Sequence, residues 1–189
     1  RFPIWAWLLA ALVAIVLVVG GLVATGVLER RGPAPIPVAL RTPLPTLPVA
    51  GVFIEPDDGR GPIGEELAAA RESISLTVYL LSDEEIVTAL EAAAARGIRV
   101  RVLLEEHPFG GGGGQPEMFA RLEASGIEVR WTDPVYRFSH IKTFVIDDRV
   151  AIIMNLNLTN SAFTRNRELA VITTRPDDVA QAAAIFEVD

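Results

Sequence analysis

The sequence predicts an α/β domain built on a mixed β-sheet flanked by helices and preceded by one transmembrane helix. Three observations predict it. The chain opens with 26 uncharged residues, Pro3 to Leu28. Strand-patterned segments then alternate with helix-patterned ones, the order that builds a layered α/β fold. Finally, three strand-like segments follow one another between Lys142 and Thr173, which adds antiparallel pairing to the sheet. At 189 residues the chain has room for one domain and a tail, not two large catalytic domains.

The apolar run 3–28 is long enough to cross a bilayer core of about 30 Å. Trp5 and Trp7 stand at one end, where indoles favour the interface, and Glu29, Arg30 and Arg31 close the other. The alternatives are a buried core helix and a cleaved leader with Val23-Ala24-Thr25-Gly26 as the small-residue site. Residues 29–50 form a linker with six prolines, Pro33, Pro35, Pro37, Pro43, Pro45 and Pro48. Proline fixes φ and removes a donor, so this stretch reads as a semi-extended tether.

The body, residues 51–189, begins with a short strand at Val52–Ile54 and a helix over 63–72. Ser73–Leu80 has β-branched residues in strand rhythm. Ser82-Asp83-Glu84-Glu85 is read as a capping box that opens a helix ending at Gly97. A strand follows at Ile98–Glu105, then a surface loop with five glycines, Gly110–Gly114. No Gly-Lys-Ser/Thr comes after these glycines, so they are not a phosphate-cradling loop. A short helix at Glu117–Ala124 and a strand at Ile127–Thr132 come next. Strands are expected at Lys142–Ile146, Val150–Asn155 and Glu168–Thr173, and Pro176 opens a last helix that runs to Val188.

Composition narrows the function. Half the residues are hydrophobic and 22% are charged, which excludes an intrinsically disordered chain. Acids outnumber Lys and Arg by 24 to 17, and from residue 33 onward by 23 to 14. Nucleic-acid binders carry a basic stripe, so nucleic acid is not the expected partner. There is no cysteine, so disulfides and Cys-ligated zinc are excluded.

The stretch with the most chemistry is Phe138–Glu168. The chain has two histidines and a single lysine, and that lysine, Lys142, lies two residues after His140. Positions i and i+2 of a strand share a face, so imidazole and ammonium are expected on one side. Asn155 and Asn157 show the same spacing on the next strand, and Glu168 opens another. Imidazole, ammonium, amide and carboxylate groups at strand ends can converge on one pocket.

His140-x-Lys142-x4-Asp147 resembles the H-x-K-x4-D motif of the phospholipase D superfamily, the HKD motif. Asn157 fits the family's motif asparagine and Glu168 its downstream acid. The order of segments across 51–189, including Arg96–Leu104, is similar to one half-domain of the family. The family's Gly-Ser or Gly-Thr is replaced by Met154-Asn155, and its small residue before the motif asparagine by Leu156. Met154 is expected to narrow the pocket.

The resemblance implies a phospholipase D-like fold and phosphodiester transfer through a phosphohistidine, with no metal and no cofactor. His140 is then nucleophile or acid/base partner. Lys142 and Asn157 bind phosphate, with Asn155 as a weaker phosphate ligand. Glu168 orients an imidazole, and Asp147 completes the motif in a catalytic or structural role. The implied function is that of a membrane-anchored enzyme, single-pass, cleaving a phospholipid head-group phosphodiester. Phosphatidyl transfer as in cardiolipin synthases, a nuclease of the same superfamily, and an inactive phosphate- or partner-binding half are the alternatives. Two histidines are needed in this family, and His107 has Phe109 rather than lysine at +2. A second half is therefore expected, either beyond Asp189, which makes this chain a truncated first half, or from a homodimer partner.

Overall fold

The computed structural model describes residues 49–110 and 114–189. The expected transmembrane helix at 3–28 and the linker up to residue 48 lie outside the described residues, as do the central glycines 111–113. Among the described residues no helix is long and apolar enough to cross a membrane.

The domain has seven strands and five helices among the described residues. In chain order they are β1 (Val49–Glu55), α1 (Gly61–Ala69), β2 (Ser73–Val78), α2 (Glu84–Ala95), β3 (Arg99–Leu104), α3 (Gln115–Ala124) and β4 (Glu128–Trp131). There follow β5 (Lys142–Ile146), β6 (Val150–Met154), α4 (Asn160–Thr164), β7 (Glu168–Thr173) and α5 (Pro176–Val188). The first strand takes in Val49 and Ala50, two residues that the sequence assigns to the linker.

The strands form one sheet in the order β1-β7-β6-β5-β2-β3-β4. β2, β3 and β4 are parallel, joined through α2 and α3. β5, β6, β7 and β1 add antiparallel strands on the other side of β2. The sheet is thus mixed and flanked by helices, as expected.

Local sequence explains the boundaries. Asp83, not Ser82, caps α2: its carboxylate accepts the Ile86 N–H at 3.3 Å. Asp83 is also buried against Arg60, which bonds both of its oxygens, and that second partner selects it over the serine. Gly97 ends α2 with φ 88°, a left-handed position that favours glycine. The Gly97 N–H returns to Ala94 O and the Ile98 N–H to Ala93 O, closing the last turn. Between β5 and β6, Asp147 and Asp148 take φ of 53° and 48°. Positive φ at both central residues is the mark of a tight hairpin turn that suits Asp and Asn.

The main core lies on one face of the sheet. Ile74, Leu76, Val78, Phe144, Ile146 and Ile152 pack there against Ile63, Leu67, Val87 and Leu90 of α1 and α2. Each Å2 of apolar surface this layer removes from water contributes about 25 cal/mol to stability. The other face is covered by α5, through Val145, Ala151, Val179 and Ala182. Beyond that helix Val52, Ile153 and Leu169 remain about half exposed.

Candidate active site

The sheet order places several chain ends at one edge. β2 and β3 finish there and β5 starts there, while β6 and β1 finish and β7 starts beside them. Side chains with chemistry collect along this edge.

Lys142 is the first residue of β5 and is 3% exposed. Its ammonium donates to the backbone carbonyl of His140 at 2.9 Å and stands 5.1 Å from the ring centre of Tyr79. The His140 ring meets the same tyrosine with centroids 4.5 Å apart and an interplanar angle of 63°. The expectation that the two side chains share one side therefore holds, although His140 precedes the strand rather than lying in it.

Burial moves both groups. Taking the Lys142 ammonium out of water lowers its pKa to about 8, and the negative charge of Glu168 offsets part of that fall. His140 is open to solvent on one side and lies against Tyr79 on the other. That partial burial, and then the neighbouring Lys142 charge, hold its pKa below the ordinary value. A neutral imidazole beside a cation is the form that can attack an electrophilic phosphorus.

Asn157 lies in the loop after β6, not on the strand, and its Oδ1 is buried without a hydrogen-bond partner among the described residues. Glu168 opens β7 and accepts from Asn166 Nδ2 at 3.1 Å, and its charge acts on Lys142.

Asn155 and Asp147 are placed differently from the rest. β6 ends at Met154, and the Asn155 Oδ1 accepts the Leu169 N–H at 2.8 Å while its own N–H bonds Leu169 O. The side-chain oxygen thus continues the β6–β7 pairing. Asp147 follows the far end of β5, opposite Lys142. It accepts the N–H groups of Arg71, Glu72 and Ser73 at 3.0, 2.8 and 2.9 Å. Burial pushes this carboxyl upward, but the N–H groups of Ser73, Glu72 and Arg71 together outweigh it and hold it below the usual range. Strand rise of about 3.3 Å per residue separates the ends of β5, so the motif aspartate clamps the turn into β2 and stands away from the lysine.

Met154 is 8% exposed and belongs to the main core. His107, on the loop after β3, is 82% exposed, with its Nε2 3.8 Å from a Glu106 carboxylate oxygen. A groove of about 280 Å3 beside α5, lined by Ile141, Thr143, Ile153 and Ile185, opens on the opposite face of β5 from Lys142 and is not part of this site.

Two residues at the edge escaped the sequence argument. The sequence marks Tyr79 only as part of a strand. Glu105 directly follows β3, and its buried carboxylate binds three segments. Its Oε2 accepts the Ser139 N–H at 2.7 Å and the Thr132 hydroxyl at 3.2 Å, and its Oε1 accepts the His107 N–H at 2.9 Å. Ser139 immediately precedes His140. A carboxylate directly after the apolar run Val102–Leu104 was the available signal.

A mixed sheet that gathers an imidazole, a buried ammonium and an amide at one edge defines a PLD-like domain. The family model described as "Cardiolipin synthase, PLD-like domain" matches residues 63–189, and the chain belongs to that family. It is 36% identical over 122 residues to the human mitochondrial cardiolipin hydrolase, covering 64% of this chain and 46% of that protein. It is 32% identical over 127 residues to phospholipase D of Rickettsia bellii, covering 66% of this chain and 60% of that one. The chain thus spans about half the length of these curated relatives. Among solved structures it is similar to Nuc, a phospholipase D family member from Salmonella typhimurium. The TM-score is 0.66 at 26% identity, over 72% of this chain and 90% of that one.

Proposed function

We propose that this chain is a phosphodiesterase that cleaves a phospholipid head-group phosphodiester through a phosphohistidine on His140. The observation that carries the reading is the meeting of His140 and the sole lysine on one tyrosine ring, with the lysine ammonium buried and held. Its relatives are named cardiolipin hydrolase and phospholipase D, which supports a lipid substrate.

A ring nitrogen of His140 attacks phosphorus, a P–N bond forms, and the P–O bond to the leaving group breaks. The leaving oxygen takes a proton from a second imidazole. Lys142 and the Asn157 amide hold the non-bridging oxygens, where charge builds. Water then attacks the same phosphorus, gives its proton to that second imidazole, and frees His140.

The second imidazole comes from another HKD half, either further along the polypeptide or on a second copy. The half-exposed Ile153 and Leu169, with Ile185 of α5, offer an apolar surface for such packing. The apolar run 3–28 anchors the enzyme at its substrate. Asp147 and Asn155 act in this account as structural residues, not as ligands of phosphate.

An alcohol in place of water would make the same site a phosphatidyltransferase. The family model's description and the relatives named cardiolipin synthase A from Pseudomonas favour that second reading. Turnover of phosphatidylcholine and cardiolipin, with and without glycerol, is measured against cleavage of double-stranded DNA. Lipid turnover lost in His140→Ala is the expected result, and cleavage of DNA alone overturns it.

A further inference from the structure

A buried lysine is costly unless something other than water surrounds its charge. The ammonium has three donors. One goes to the His140 carbonyl, which leaves two for other partners. Glu168 on β7 supplies negative charge. The remaining neighbour is the ring of Tyr79, 5.1 Å from the nitrogen, inside the range where a ring quadrupole attracts a cation.

The ring is itself held. Tyr79 is 6% exposed. Its hydroxyl accepts the Phe109 N–H. Phe138 packs edge-on at 6.3 Å between centroids. His140 touches the same ring, so a single fixed aromatic surface meets both side chains of the motif.

We propose that Tyr79 is a positioning residue for the reaction, its ring holding the Lys142 ammonium and the His140 imidazole at their working separation. The proposal rests on the reading of His140 and Lys142 as the reacting pair. The groups facing the ammonium are His140 on its own segment, Glu168 on β7 and Tyr79 at the end of β2. Of these, the aromatic ring can be retuned without changing its shape.

The test uses the fact that Lys142 is the only lysine. Lysine-selective carbon-13 labelling of the whole chain then gives one ε-carbon signal, which reports the titration of this side chain alone. Phenylalanine and its mono-, di- and trifluoro analogues are placed at position 79. Fluorination weakens the ring quadrupole while size and packing stay nearly constant.

The Lys142 titration is expected to move stepwise to lower pH along the series, by about half a unit to one unit in all. The alkaline limb of kcat moves with it and KM changes little. A merely structural tyrosine would alter thermal stability and leave the titration where it was. An unchanged titration across the series overturns the proposal even where His140→Ala abolishes turnover. A shifted titration together with full turnover in His140→Ala overturns the catalytic reading, and with it the role of Tyr79 in the reaction.

Discussion

Lys142 donates to the backbone carbonyl of His140 at 2.9 Å, so the motif lysine is tied to the motif histidine by the main chain and not by side-chain contact alone. The bond fixes the ammonium beside the imidazole before any phosphate enters. A bound phosphate can then take the donors that remain.

Burial of the Lys142 ammonium costs stability. Its folded pKa of about 8 lies below the 10.5 of an unfolded chain. Between those values the unfolded chain holds the proton more tightly, so stability rises with pH from about 8 towards 10.5. Below pH 8 the buried charge costs roughly 3 kcal/mol. Lys142→Met is expected to abolish turnover and to stabilise the fold by up to about that amount at pH 7. Denaturant melts across the pH range measure it.

His140 is held below its ordinary pKa by burial and then by Lys142. The acid limb of kcat/KM therefore falls below pH 6.5, the ordinary histidine value. In Lys142→Met the second of these causes is gone, so the His140 titration is expected to move upward, as read by proton NMR of the ring. His140→Ala should lower kcat at least about a thousandfold.

Asp147 anchors the β5–β6 turn to the start of β2, far from the reacting groups. Asp147→Asn keeps a residue that tolerates positive φ but weakens the bonds from Arg71, Glu72 and Ser73. The expected loss is roughly 2–4 kcal/mol of stability, with kcat changed by less than about threefold at a temperature where both proteins are folded. The wild-type carboxyl is held low, so its contribution is complete above the unfolded value of 3.8 and is lost as pH falls through the lower folded value. Acid unfolding of the two proteins should converge there.

Glu105 fixes the segment before His140 by accepting from Ser139 with one oxygen and from His107 with the other. Glu105→Gln keeps the shape but sets an amide NH2 against one of those N–H donors. We expect kcat to fall by about a hundredfold with a smaller change in KM, and Glu105→Asp to retain more activity than Glu105→Gln. Equal losses in kcat and in thermal stability for both variants would mark Glu105 as structural only.

The strands were legible where β-branched and apolar residues run together. β5 at Lys142–Ile146 and β7 at Glu168–Thr173 have the bounds their sequence predicts. The histidine–lysine pair was legible because i, i+2 spacing and a sole lysine leave little freedom. What escaped depends on residues distant in sequence. The bond from the Leu169 N–H to Asn155 Oδ1, across the β6–β7 connection, is one such contact. Tyr79 meets His140 and Lys142, some 60 residues on, only after β5 pairs with β2. The five residues of α4 are too few to show a helical period, and the Thr159 side chain that caps them could equally have marked a turn.

The most direct test of the central claim is rapid-quench mass spectrometry of the whole protein during turnover of phosphatidylcholine. An acid-labile phosphatidyl adduct on His140, absent from His140→Ala, is the predicted result. An adduct on His107, or wild-type turnover with no adduct on either histidine, would contradict it.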